Sequence, residues 1–180
     1  FIHNQGNVIS IGMKRIFSAA ILSIFILSFH GSERNVIEDE NNYLSEIKIE
    51  LAKQWPENRT INLVFHGHSV PSGYFETPVV NTLGSYPFQL LVKLKQLYPF
   101  AVINVINTGI GGENSINGDI RFESDVLVHK PDVLFIDYAL NDRNVGPDKS
   151  RAAWESMIRQ ALQKDIKIIF MQTTKAMATS

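Results

Sequence analysis

Ile61-Asn62-Leu63-Val64-Phe65-His66-Gly67-His68-Ser69-Val70-Pro71-Ser72-Gly73 is a short apolar run that stops in a small, polar turn. An apolar run of four to eight residues bounded by turn signals reads as a strand buried on both faces. The same design returns along the chain. Residues 101–106 lead into Asn107-Thr108-Gly109-Ile110-Gly111-Gly112-Glu113-Asn114-Ser115, and residues 132–139 lead into Leu140-Asn141-Asp142-Arg143. A fourth run, 167–171, opens onto Gln172-Thr173-Thr174. Between these strands the spacing turns helical. Leu90, Leu91, Leu94 and Leu97 follow Pro87 and predict a helix over 87–97. A helix over 116–129 would turn Ile120, Val126 and Leu127 inward, and one over 151–164 would carry Ala153, Met157, Ala161 and Leu162 on one stripe. Strand and helix in alternation predict an α/β three-layer sandwich, a parallel sheet with helices on both faces. Ligands of such sheets bind outside the carboxyl ends of the strands. The chemistry is therefore to be sought in the turns that follow each strand.

At 180 residues the chain holds at most one ordinary domain. Seventeen Lys and Arg against eighteen Asp and Glu leave a net charge of −1, which argues against a nucleic-acid partner. The absence of cysteine excludes disulfides, thiolate zinc sites and a thiol nucleophile, so any metal would need His and carboxylates. Met13-Lys14-Arg15 precedes a short apolar stretch over 16–29, the pattern of a secretory signal. A membrane span needs about 20 apolar residues, so no stable membrane partner is expected beyond that segment. The expected organisation is upstream read-through over 1–12, a signal peptide over 13–32, a linker over 33–58 with a short helix at 43–55, and the folded domain over 59–180. The expected location is secreted or periplasmic.

Acyl transfer needs a nucleophile at a tight turn and donors aimed at the oxyanion that forms on the attacked carbonyl. Ser69 offers a hydroxyl and a backbone N–H. Gly112 offers a backbone N–H with no side chain in the way, and Asn141 offers an amide N–H. This set, in this order and on these elements, resembles the SGNH or GDSL-type hydrolases, a family of esterases and acylhydrolases, over about residues 61–174. Leu140-Asn141-Asp142 is similar to the family's Gly-x-Asn-Asp turn. The resemblance implies a flavodoxin-like sheet, Ser69 as nucleophile and first oxyanion donor, and Gly112 and Asn141 as the other donors. It implies no cofactor. Candidate substrate-binding residues are Asn114 and Arg143, with Tyr74, Phe75 and Pro78 as a pocket rim. The substrate class implied is a small-molecule or polysaccharide ester, O-acetylated carbohydrate included.

Two departures stand out. His68 occupies the place where the family has Asp before the serine, and is expected to take over a hydrogen-bonding role in the turn. The family's Asp-x-x-His block, source of its catalytic histidine and aspartate, does not occur before Ser180. The domain is thus expected to lack its last strand and helix, with those two groups beyond the chain's end. Loss of a triad histidine can cost on the order of 10⁶ in kcat, so the 180 residues alone are expected to turn over esters slowly or not at all.

Three other readings compete. Gly109-Ile110-Gly111-Gly112 fails as a dinucleotide fingerprint, because Asn114 stands where the last glycine should be and the segment follows the second strand. His66 and His68 would point the same way in a strand and could start a metal-dependent hydrolase site, but Gly67 marks the start of the turn, later strands offer only Asp137 and Asp142 as further ligands, and His129 ends a helix. The same fold could also serve as a non-catalytic carbohydrate-binding domain. Asp142 is expected to bond loop backbone rather than to react.

Overall fold

The apolar runs pair side by side as the alternation requires. In the computed structural model, which describes residues 42–172, β1 (Thr60–Gly67), β2 (Val102–Asn107), β3 (Val133–Asp137) and β4 (Lys167–Phe170) form one parallel sheet in the order β2-β1-β3-β4. The signal peptide and read-through expected over 1–32, most of the linker, and Thr173-Thr174 lie outside the described residues. Short helices flank β1: α1 (Ser45–Ala52) precedes it and the single turn α2 (Ser69–Ser72) follows it. The crossover to β2 uses α3 (Tyr86–Leu97), that to β3 uses α4 (Ser115–Ile120) and α5 (Phe122–Asp125), and that to β4 uses α6 (Pro147–Leu162). Among the described residues no helix is long and apolar enough to cross a membrane.

Alternation along the strands sorts the core into two halves. Val64, Leu134, Ile136 and Ile168 meet Phe122, Val126, Met157 and Ala161 on one face of the sheet. Leu63, Phe65, Val133 and Phe135 meet Leu51 and the half-buried Tyr86, Leu90 and Leu94 on the other. Phe65 stacks on Phe135 with centroids 4.3 Å apart. All five residues of β3 are buried, as expected of a strand with neighbours on both edges and helices on both faces. The result is the three-layer α/β arrangement read from the sequence.

The structure departs from the sequence reading in the helices. The segment expected as one helix over 116–129 breaks into α4, α5 and a 3₁₀ turn at Leu127–His129. Asn117, Gly118 and Ser124 are poor helix formers, and Lys130 leaves in the left-handed region at φ 49°. The break at Arg121 changes the phase of the inner face. Val126 and Leu127 stay buried as expected, but Phe122 enters the core and Ile120 is 79% exposed. Leu97 and Leu162, expected inside, also lie at exposed helix ends. α6 starts earlier than expected because Pro147 at its first turn loses no hydrogen bond there.

Met157 is fully buried against the β1–β3–β4 face. Met157→Ala is expected to lower unfolding free energy by about 2–5 kcal/mol in denaturant titrations, whereas Ile120→Ser should change it by less than about 0.5 kcal/mol.

Candidate active site

β1 ends where its backbone leaves the ladder. The His68 N–H donates to Asp137 O at 3.2 Å, and the chain then turns into α2 with His68 as its cap. His68 Nδ1 accepts the Val70 N–H at 3.3 Å, the hydrogen-bonding role expected of it. Ser69 is the first residue of α2 and half-buried. An N–H at a helix start has no partner within the helix, and that of Ser69 donates to no other group among the described residues.

The loop after β2 is stitched to this turn. Asn107 Nδ2 donates to Pro71 O at 2.6 Å, Ser72 Oγ donates to Gly109 O at 2.9 Å, and the Ile110 N–H donates to Gly67 O at 3.0 Å. Gly112 follows at φ 79°, in the left-handed region that a side chain would strain, and it faces open space. Its N–H is also uncommitted among the described residues. Asn141, in the 3₁₀ turn after β3, donates one Nδ2 hydrogen to Glu113 O at 2.7 Å and keeps a second. Ser69, Gly112 and Asn141 thus sit on three turns joined at the same end of the sheet.

Asn114 is used locally. Its Oδ1 caps α4 by accepting the N–H groups of Ile116 and Asn117 at 3.1 and 3.3 Å. Asp142 bridges backbone and helix, accepting the Ser115 N–H at 2.9 Å and the Trp154 Nε1–H at 2.6 Å. Arg143, Phe75 and Pro78 are exposed, and the Tyr74 ring stands beside Gly111.

The sequence reading missed a buried polar network beneath these turns. Tyr138 donates its hydroxyl hydrogen to Glu113 Oε2 at 2.8 Å. Arg121 Nε donates to both Glu113 oxygens at 2.9 and 3.0 Å, and its Nη1 donates to Asp125 at 3.0 Å. His66 lies on the far side: Thr108 Oγ1 approaches its Nδ1 at 2.8 Å, while Gly118 O and the Tyr138 hydroxyl share its Nε2, each at 3.1 Å. A carbonyl accepts only, so Nε2 carries the proton and Nδ1 accepts from Thr108. Burial, reinforced by the Arg121 charge, lowers the His66 pKa to about 4. Burial and the bond to Glu113 push the Tyr138 hydroxyl up, so it stays a neutral donor. Gly118 is required here because a side chain would collide with the Tyr138 hydroxyl. A glycine inside a helical pattern was the one sequence signal of this network.

The metal reading of His66 and His68 is not supported by this geometry. The turn sends the His68 ring toward Asp137, on the Phe65 and Tyr86 face, while His66 lies with Tyr138 and Phe122 on the other. Both His66 nitrogens are committed, and among the described residues no three His, Asp or Glu side chains gather for a metal.

A parallel sheet in flavodoxin-like order, with a serine turn, a glycine loop and an asparagine turn at its carboxyl edge, defines a three-layer α/β chain of the SGNH type. Residues 65–179 match the model of the GDSL-like lipase/acylhydrolase family, and the chain belongs to that family. Among solved structures, a two-domain esterase active on acetylated mannans is similar in fold, with a TM-score of 0.61, 22% identity, and 72% of this chain and 33% of that chain covered. The acetylxylan esterase Axe2 from Geobacillus stearothermophilus gives a TM-score of 0.53 at 27% identity, covering 62% of this chain and 58% of its own. Catalytic mutants of Axe2 at a serine, an aspartate and a histidine are among its solved structures. An uncharacterized lipoprotein, YqeF of Bacillus subtilis (strain 168), is 42% identical over 40 residues, which are 22% of this chain and 16% of that protein. The chain thus spans less than two thirds of each of these relatives.

The His66 network makes stability pH-dependent with a defined sign. The folded pKa of about 4 lies below the ordinary 6.5, so the unfolded chain binds the extra proton first. The contribution is fully present above about pH 6.5 and lost as the pH falls toward 4, a loss of about 3 kcal/mol. Denaturant titrations across that window should show a steep decline that is shallower in His66→Gln. Tyr138→Phe, which strips a donor from buried Glu113, is expected to cost about 1–3 kcal/mol at neutral pH.

Proposed function

We propose that this chain carries the nucleophile and oxyanion donors of a serine esterase. Ser69 Oγ attacks an ester carbonyl while a base takes its proton. The carbonyl oxygen gains negative charge and lies against the N–H groups of Ser69 and Gly112 and the second Nδ2 hydrogen of Asn141. The tetrahedral species then expels the alcohol, which receives the proton, and water later releases the acid from the serine ester. One observation carries this reading. Two main-chain N–H groups that no protein acceptor takes among the described residues, and an amide with one hydrogen to spare, occupy three turns bonded to one another and are open to an incoming oxyanion.

The substrate class we propose is O-acetylated carbohydrate, the polymer or its oligosaccharides. The mannan- and xylan-directed esterases of similar fold support it. So does the exposed rim of Tyr74 and Phe75, since aromatic faces suit the C–H faces of sugar rings. A secreted or periplasmic location, read from the segment over 13–32, fits a polymer that stays outside the cell. In this reading Arg143, in the turn that follows β3, contacts the sugar, while the Asn114 side chain is taken up in capping α4.

In the full-length protein, a fluorophosphonate probe followed by peptide mass spectrometry should label Ser69, and Ser69→Ala should abolish labelling. Modification at a different serine would sink the assignment. In the same full-length protein, Asn141→Ala is expected to slow acetate release from acetylated mannan or xylan on the order of 10²–10³-fold in kcat. Binding of the glycan with no acetate release and no labelling would favour a carbohydrate-binding domain instead.

A further inference from the structure

His68 and Asp137 are buried next to Ser69 and have no part in the steps above. The His68 ring is 1% exposed. Its Nδ1 accepts the Val70 N–H at 3.3 Å and lies 3.5 Å from Ser69 Oγ. That nitrogen must be bare to accept, which puts the ring proton on Nε2. Nε2 is buried 3.4 Å from Asp137 Oδ1, off the line of a full hydrogen bond and with no other partner among the described residues. Asp137 is itself buried, and its second oxygen accepts the Tyr86 hydroxyl at 3.2 Å. Burial first, then the Asp137 charge, push the Tyr86 hydroxyl up, so it remains a donor to that carboxylate.

From this chain of contacts we infer that His68 is the positioning residue for Ser69, and that Asp137 locks the ring tautomer which lets it act. The inference rests on the esterase reading for its catalytic consequence, though not for its structural one. A carboxylate beside Nε2 favours the tautomer with the proton there, because the other would set a bare nitrogen against an anion. The other tautomer would also point an Nδ1–H at the Val70 N–H, two donors face to face. Opening that contact loosens the first turn of α2, and with it the direction of the Ser69 N–H and hydroxyl. Asp137 on β3 thereby governs the aim of a serine on the turn after β1 without touching it.

Heteronuclear NMR of the ring nitrogens in the full chain reads the tautomer directly and requires no ester turnover. The expected result is a bare Nδ1 and a protonated Nε2 on His68, moving toward a tautomer mixture in Asp137→Asn. A native ring protonated on Nδ1 alone would overturn the inference. The second measurement is the rate at which a fluorophosphonate labels Ser69 in the full-length protein. A misaimed nucleophile costs on the order of 100-fold, which is the slowing expected of His68→Ala. His68→Asn should label near the native rate, because its Oδ1 replaces Nδ1 as acceptor, ranks with the best helix caps and has no tautomer to lose. Asp137→Asn should therefore slow labelling in the native background and leave it unchanged in the His68→Asn background. Equal slowing in both backgrounds, or no rescue by His68→Asn, counts against the clamp. If the native full-length protein takes no label at all, the esterase reading fails, while the NMR result still decides the tautomer lock.

Discussion

The pairing of β1 with β3 is the constraint on which the rest of the molecule hangs. Its parallel register sets Phe65 beside Phe135 and Gly67 beside Asp137. Each strand then runs out at the same edge, so the turns after them start within hydrogen-bond distance of one another. The His68 N–H is the last donor of this ladder, taken by Asp137 O. The apolar faces fix the register, because a one-residue slip would carry Val64 and Phe65 to the wrong halves of the core. Packing far from the turns thereby sets the spacing of polar groups within them.

Below those turns the protein faces a dielectric problem and resolves it with pairing. Glu113 carries a charge into a nearly dry interior, where an unpaired carboxylate would be costly. Arg121 neutralises it from one side and Tyr138 bonds it from another, while His66 stays uncharged. Buried ion pairs of this kind add little net stability compared with apolar packing. Their effect is to fix geometry: Glu113 carries the carbonyl that Asn141 bonds, so clamping its side chain also steadies the peptide next to Gly112.

Much of this was legible in the sequence, for identifiable reasons. Runs such as Ile61 to Phe65 are too short and too apolar for anything but a buried strand, and residues at strand ends are fixed by chain continuity alone. The turns bearing Ser69, Gly112 and Asn141 could therefore be found one at a time. The helical segment over 116–129 was misread because its inner face changes phase at Arg121, which periodicity across one window averages away. The parting of His66 from His68 was legible, since Gly67 signals the turn and strand alternation stops where the cap of α2 begins. The buried network was illegible in a deeper sense. Glu113 meets Tyr138 across 25 positions and His66 meets Tyr138 across 72, and no local pattern encodes such partners.

Of the three donors gathered at the carboxyl edge, two belong to the main chain. The N–H groups of Ser69 and Gly112 are supplied by every residue except proline, so their presence depends on neither side chain. What heredity can alter there is the shape of the backbone, through the left-handed geometry at Gly112 or the turn held by His68. Asn141 alone stakes its donor on a side chain. Mutational drift at this edge therefore falls unevenly: one position loses its donor with almost any substitution, and the other two keep theirs until the backbone turns away or a proline enters.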